Sequence, residues 1–269
     1  MSLAIREIER VERRVLGALR CVDATTRAGV DLPLQVTVEN ARIQRNRSGL
    51  YVIAAATALA AHEASFAQPP ALLAKGTVKL DATIADPSGR YLPRSATLAL
   101  PRDPLPAHAG NADALFRPIE VALYPSNVAP VGENWAVLFV SVSEAASHDA
   151  LGGALLILTS GGNTLARGLT DWRGEALLPV PGVPVTTWSS HPHAVVVTEI
   201  NARIRTVFDP ASGTRTAAAD VAAGRPPARL PVVNTDDIEA RANTLPHASV
   251  IVPIAARRAQ SLSSQLALP

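Results

Sequence analysis

Short runs in which apolar and polar residues alternate, each closed by Gly, Pro, Asn, Asp or Ser, recur along most of this chain and predict half-buried β-strands. The first series has strands at 15–23, 34–38, 50–53, 77–84 and 96–100, with turns at 25–29, 45–49 and 86–89. A second series falls at 119–124, 135–142, 154–159, 165–169, 175–180, 194–200 and 204–208, the strand number and spacing of one immunoglobulin-size sandwich. Two stretches read differently. Ile5, Ile8, Val11, Val15 and Leu19 recur at intervals of three and four, one face of a short N-terminal helix, yet 15–23 also alternates as a strand, which puts the boundary near Arg14. The Ala-rich run 54–61 fits either a helix or a strand with a loop.

Between the two series, the segment 101–118 is rich in proline and polar residues and has no apolar alternation before Leu115 and Phe116, as a linker would. The division is therefore an N-terminal helix or arm at 1–14, a first sandwich at 15–104, a linker at 105–118, a second sandwich at 119–210 and a C-terminal extension at 211–269. The predicted fold class is all-β: two tandem Ig-like or transthyretin-like β-sandwiches, preceded by a short N-terminal helix and followed by an extended tail containing one short helix. That helix is placed at 234–242, where Asn234 caps a turn beginning with Asp236 and Asp237. The run 249–253 is strand-like, and the last residues alternate loosely, as an arm added to the edge of a neighbour's sheet would. Three turns share a form: Asp86-Pro87-Ser88-Gly89, Asp171-Trp172-Arg173-Gly174 and Asp209-Pro210-Ala211-Ser212-Gly213. In each, the Asp can accept from backbone amides ahead of it and the Gly can take a positive φ, so turn chemistry explains the likeness without a duplication.

Composition narrows the function more than it names it. With 48% hydrophobic and 18% charged residues the chain has ample material for a core. Twenty-two prolines and sixteen glycines disfavour long helices. Three Trp, three Tyr and four Phe leave few platforms for sugars or bases. A net charge of +2 with scattered arginines is not a nucleic-acid footprint, and the densest run, Arg10, Arg13 and Arg14, is interleaved with Glu7, Glu9 and Glu12 as a solvated face. Cys21 is the only cysteine, which excludes an intrachain disulfide or thiolate cage and suits a reducing compartment. The first twenty residues lack the apolar core of a secretory signal, and no stretch has the length of apolar sequence a spanning helix needs, so cytoplasmic residence is expected, with release as part of a particle left open.

Candidate chemistry is sparse. His191 and His193 flank Pro192, but no further ligand follows at zinc spacing before Glu199. Ser147-His148-Asp149 holds the residue types of a triad in consecutive positions, which cannot adopt triad geometry. Asp236, Asp237 and Glu239 are better explained by a helix N-terminus than by a calcium loop. No nucleophile elbow, phosphate loop or dinucleotide fingerprint occurs. No catalytic residue, cofactor or metal is expected. Among the tryptophans, Trp135, followed by Ala-Val-Leu-Phe-Val, reads as a core anchor, and Trp172 reads as exposed in a turn. Trp172, with the adjoining Arg173, and Trp188 are the expected partner contacts.

The segment from Gly153 through Thr159, with Asn163 through Thr170-Asp171-Trp172-Arg173-Gly174-Glu175-Ala176 to Gly182, resembles carboxypeptidase-regulatory-like and transthyretin-like β-sandwich modules. Cys21-Val22-Asp23-Ala24-Thr25-Thr26-Arg27-Ala28-Gly29 and Ser48-Gly49-Leu50-Tyr51 look like pieces of a more divergent copy. This resemblance implies a structural or interaction domain and no enzyme. Asp86-Pro87-Ser88-Gly89-Arg90-Tyr91-Leu92-Pro93-Arg94, Leu98 to Asp103 and Val121 to Ser126 resemble an uncharacterised accessory protein of contractile, phage-tail-like injection systems. That likeness implies protein partners of sheath, tube or baseplate type in a larger assembly, with self-association as a further expectation. The leading reading is a non-enzymatic structural or adaptor component. The rival is a stand-alone binding module for a small molecule or carbohydrate.

Overall fold

The structure is a computed structural model that describes residues 15–64, 74–184, 187–188, 195–196 and 199–269, with the backbone alone at 64, 187, 188, 195 and 196. The expected N-terminal helix and the His191-Pro192-His193 motif lie outside the described residues. The described chain is mostly strand, arranged in several sheets, in keeping with the all-β expectation. By their contacts the described residues group into two compact units, one of those within 15–20, 37–80 and 98–119 and the other of those within 21–36, 81–97 and 120–269.

In the first unit, Tyr51–Ala56 pairs antiparallel with the start of Gly17–Asp23 and with Ala41–Arg45, a short strand that sequence reading did not find. Leu16, Leu19, Ile53 and Leu59 are buried there. The Ala-rich run is divided: strand through Ala56, then a 3-10 turn Thr57–Leu59 leading into the helix Ala60–Ala64. Residues 101–117, expected to be a linker, form a folded loop in this unit. The Asp103 amide donates to the Asp113 carbonyl and the Leu115 amide to the Asp103 carbonyl across it, and the Arg102 guanidinium donates to the carbonyls of Ala112, Ala114 and Arg117.

The second unit places two sheets on either side of a common core. One has the order Asn163–Leu169, Leu155–Ser160, Ile200–Val207, His247–Ile254. The other is built on Ala136–Glu144, which pairs with Glu175–Val180, Ala150–Gly152 and Ala259–Leu266, while Thr214–Thr216 pairs with Ala150–Gly152. Leu138, Val140 and Leu178 from the second sheet meet Leu156, Leu158, Ile204 and Val252 from the first. The continuous apolar run 154–158 follows from burial on both faces. Leu156 and Leu158 point into this core, whereas Leu155 and Ile157 face Tyr124, Val233 and Ile238 on the outside of the same sheet.

The tail is part of this architecture. His247–Ile254 and Ala259–Leu266 are sheet members, and Val252, Ile254 and Leu266 belong to the core. The final alternation thus serves a strand of the chain's own sheet and not an arm on a neighbour, because Leu262 and Leu266 on its inner face have a core within the same unit to fill. Two short helices occur after residue 211, Ala218–Ala222 and Thr235–Ala240, where one was expected. In the second, Asn234 accepts from the amides of Asp236 and Asp237 as predicted.

Candidate partner-contact site

The turn carrying Trp172 is fixed by three devices. The Asp171 carboxylate accepts from the amides of Arg173 (2.8 Å) and Glu175 (3.0 Å). Asp171 and Glu175 also pair through their backbones at 2.8 Å. Gly174 has φ +73°, and a Cβ there would lie 2.3 Å from the Val142 carbonyl oxygen, so no other residue fits without displacing the strand. Burial raises the Asp171 pKa, an opposition to ionisation that these two amide bonds offset in part.

On this support the Arg173 guanidinium stacks 4.7 Å from the Trp172 ring. Arg173 is exposed, but Trp172 is half-buried where the sequence suggested exposure. The reason is a notch of about 80 Å³ along one side of Trp172, walled by Leu92, Pro93, Thr170, Leu230 and Pro231. Leu230 is 47% exposed at its rim. Nothing charged except Asp171 lines it, and the Thr170 hydroxyl is already engaged with Leu151 and Ala154. The notch therefore has the size and polarity to take one aliphatic side chain beside a planar cation. Trp188 lies in the two-residue strand Thr187–Trp188, paired with Val195–Val196, and its side chain lies outside the described residues.

A second, larger concavity of about 310 Å³ is walled by Asp23, Asp31, Arg90, Tyr91, Trp135 and several prolines. Sequence reading missed it. Trp135 is half-buried and lines this groove instead of anchoring the core, because the inward alternation begins one residue later, with Ala136, Leu138, Val140 and Val142. Its ring lies over Gly132, where a Cβ would come within 2.6 Å. The Tyr91 hydroxyl donates to the Asp23 carboxylate at 2.7 Å, and Asp23 also accepts from the amides of Thr25 and Thr26. Burial first, and that hydrogen bond second, hold the Tyr91 phenol far above its ordinary pKa. The detectable signal was the Asp-x-Thr-Thr turn facing the Asp-x-x-Gly-Arg-Tyr turn.

The other sequence candidates have structural duties. Asp236 pairs with Arg94, whose side chain is 0% exposed and also donates to Ala122 and Ser95. Glu239 holds Arg167 with two bonds at 2.7 and 3.0 Å, and Asp237 pairs with Arg241. Ser147 bonds to Glu144, and Asp149 bonds to Arg215, so these residues do not converge on a nucleophile. Cys21 is buried, which pushes its thiol up to about 11. No group of three or more His, Cys, Asp or Glu with metal-binding geometry occurs among the described residues, nor any helix long and apolar enough to cross a membrane. No known family model, curated protein or solved structure matches the chain.

Proposed function

We propose that this protein is a non-enzymatic structural or adaptor component of a larger protein assembly, reading its architecture as tandem Ig-like or transthyretin-like modules. The observation that carries the reading is the Trp172–Arg173 pair. A rigid turn presents a half-buried aromatic ring, a stacked cation and an apolar notch of side-chain size, the combination that anchors protein interfaces. The contractile, tail-like particle rests on the resemblance of 86–94, 98–103 and 121–126, and sheath, tube or baseplate proteins are the partners it suggests. Affinity purification of the tagged protein from its native cells, with mass spectrometry and negative-stain microscopy, tests it. Particle proteins should accompany the wild type and be lost from Trp172→Ala. A clean monomer in both would end the proposal.

The groove beside Tyr91 supports a second reading, a binding module for a small molecule or carbohydrate, since its volume sits at the lower end of ligand sites and it combines two aromatics with carboxylates. A saccharide or metabolite that raises the thermal midpoint of the wild type, but not of Trp135→Ala, would favour it.

A further inference from the structure

The strand Ala259–Leu266 is paired on one side only. It runs parallel to Ala136–Glu144 over eight consecutive residue pairs without a register shift, and no described strand pairs with its other edge. The carbonyls of Arg258 and Leu266 accept from Val137 and Ala145, so even-numbered backbone groups turn towards that neighbour. Those of Ala259, Ser261, Ser263 and Gln265 point away from it, and all four residues are exposed.

Four other edges among the described strands are guarded. His247–Ile254 carries Pro253, and Glu175–Val180 carries Glu175 and Pro179. Asn163–Leu169 has Arg167 and a shifted register; Ala41–Arg45 has two arginines and a shift of its own. Charge, proline and bulges are the means by which proteins keep an open edge from templating another strand. Ala259–Leu266 has none of the three.

The geometry points to a second copy of this chain as the occupant, the two Ala259–Leu266 edges pairing antiparallel about a twofold axis at Leu262. Ser261-Leu262-Ser263 reads the same in both directions. In this register Ser261 faces Ser263 of the second copy, Gln260 faces Ser264, Ala259 faces Gln265, and Leu262 faces itself. Every pair is uncharged, so self-pairing meets no repulsion, and Leu262 is already half-buried against the core. Each outward residue exchanges backbone bonds with its counterpart, about eight bonds in all. The result is a continuous sheet through both copies with closed, twofold symmetry. It rests on this edge alone and is independent of the Trp172 notch.

Sedimentation equilibrium of the full chain tests it. The wild type should show a concentration-dependent dimer. Ser261→Lys with Ser263→Lys sets lysine opposite lysine twice and should raise the dissociation constant at least about tenfold, with an unchanged circular dichroism spectrum. Leu262→Cys provides a readout that does not depend on that variant folding. Its pair is of the non-hydrogen-bonded kind, with Cα atoms about 4.5 Å apart, within disulfide reach. Mild oxidation should give a covalent dimer, whereas Ala259→Cys, opposite Gln265, should not. A wild type that stays monomeric throughout, including one that instead takes up an extended peptide, overturns the inference. So does a dimer that neither the paired lysines nor Leu262→Cys affects.

Discussion

The loop 101–117 of the first unit leaves the large apolar side chains of Leu105 and Phe116 53% and 59% exposed. What holds it is charge: Asp103, its side chain 3% exposed, accepts from Lys75 and His108 at 2.8 and 2.7 Å, and Lys75 also reaches Asp113. The core of the second unit is the reverse, with Leu138, Leu156, Leu158 and Leu178 at 0% exposure and buried ions placed around it rather than in it. Apolar packing is indifferent to pH and costly to hollow out, whereas a lattice of ion pairs is replaceable residue by residue and fails in acid. Both candidate interaction surfaces, the Trp172 notch and the Tyr91 groove, belong to the unit with the apolar core, where a rigid support holds side chains in place.

Four measurements would break or sharpen this contrast. Leu138→Ala should lower the unfolding free energy by about 2–5 kcal/mol, read from the urea midpoint; a loss below 1 kcal/mol, on the order of a surface change, would mean the core is not close-packed. Gly174→Ala should cost roughly 2 kcal/mol, because it combines an unfavourable φ with a clash on the Val142 carbonyl; its signature is lost protection of the Asp171–Glu175 amides in hydrogen exchange. The third concerns acid. The Lys75 hydrogen bond, followed by those from the Leu105 amide and His108, holds the Asp103 pKa well below the usual carboxylate range. Its contribution is complete above the ordinary carboxylate pKa and is lost as pH falls through the depressed folded value. Amide exchange at 103–115 should therefore rise, relative to intrinsic rates, as pH drops below about 4, and Asp103→Asn should show fast exchange already at neutral pH. An unchanged profile would remove charge as the organiser of the loop. Last, Trp172→Ala should shift stability by no more than about 1 kcal/mol while abolishing partner capture, so a large drop in thermal midpoint would recast Trp172 as a structural residue.

Strands rich in buried apolar side chains were legible from the sequence. Glu175–Val180 fell where expected, and Leu155–Ser160 within one residue, since alternation or a pure apolar run reports burial directly. Ala41–Arg45 was invisible because Ile43 is its one large apolar side chain and none of its residues is buried. The Asp-x-x-Gly turns were read correctly at Gly89 and Gly174, which have positive φ. Gly213 is required for another reason: a Cβ there would meet the Phe208 ring at 2.3 Å, a demand of packing that local sequence does not carry. The candidate site was half legible. The Asp171 turn announced Trp172 and Arg173, but Leu92, Pro93, Leu230 and Pro231 come from distant segments, and the groove at Tyr91 depends on two turns more than sixty residues apart.

The parallel pairing of Ala259–Leu266 with Ala136–Glu144 has a consequence for how the protein is made. The partner strand leaves the ribosome more than a hundred residues before Ala259 does, so throughout that interval Ala136–Glu144 must wait with one edge open. The sheet is finished only once Leu266 has been synthesised. During that wait, the edge strand exposed to other chains is Ala136–Glu144, whose Ala-Val-Leu-Phe-Val-Ser-Val run is far stickier than the serine-rich strand that finally covers it.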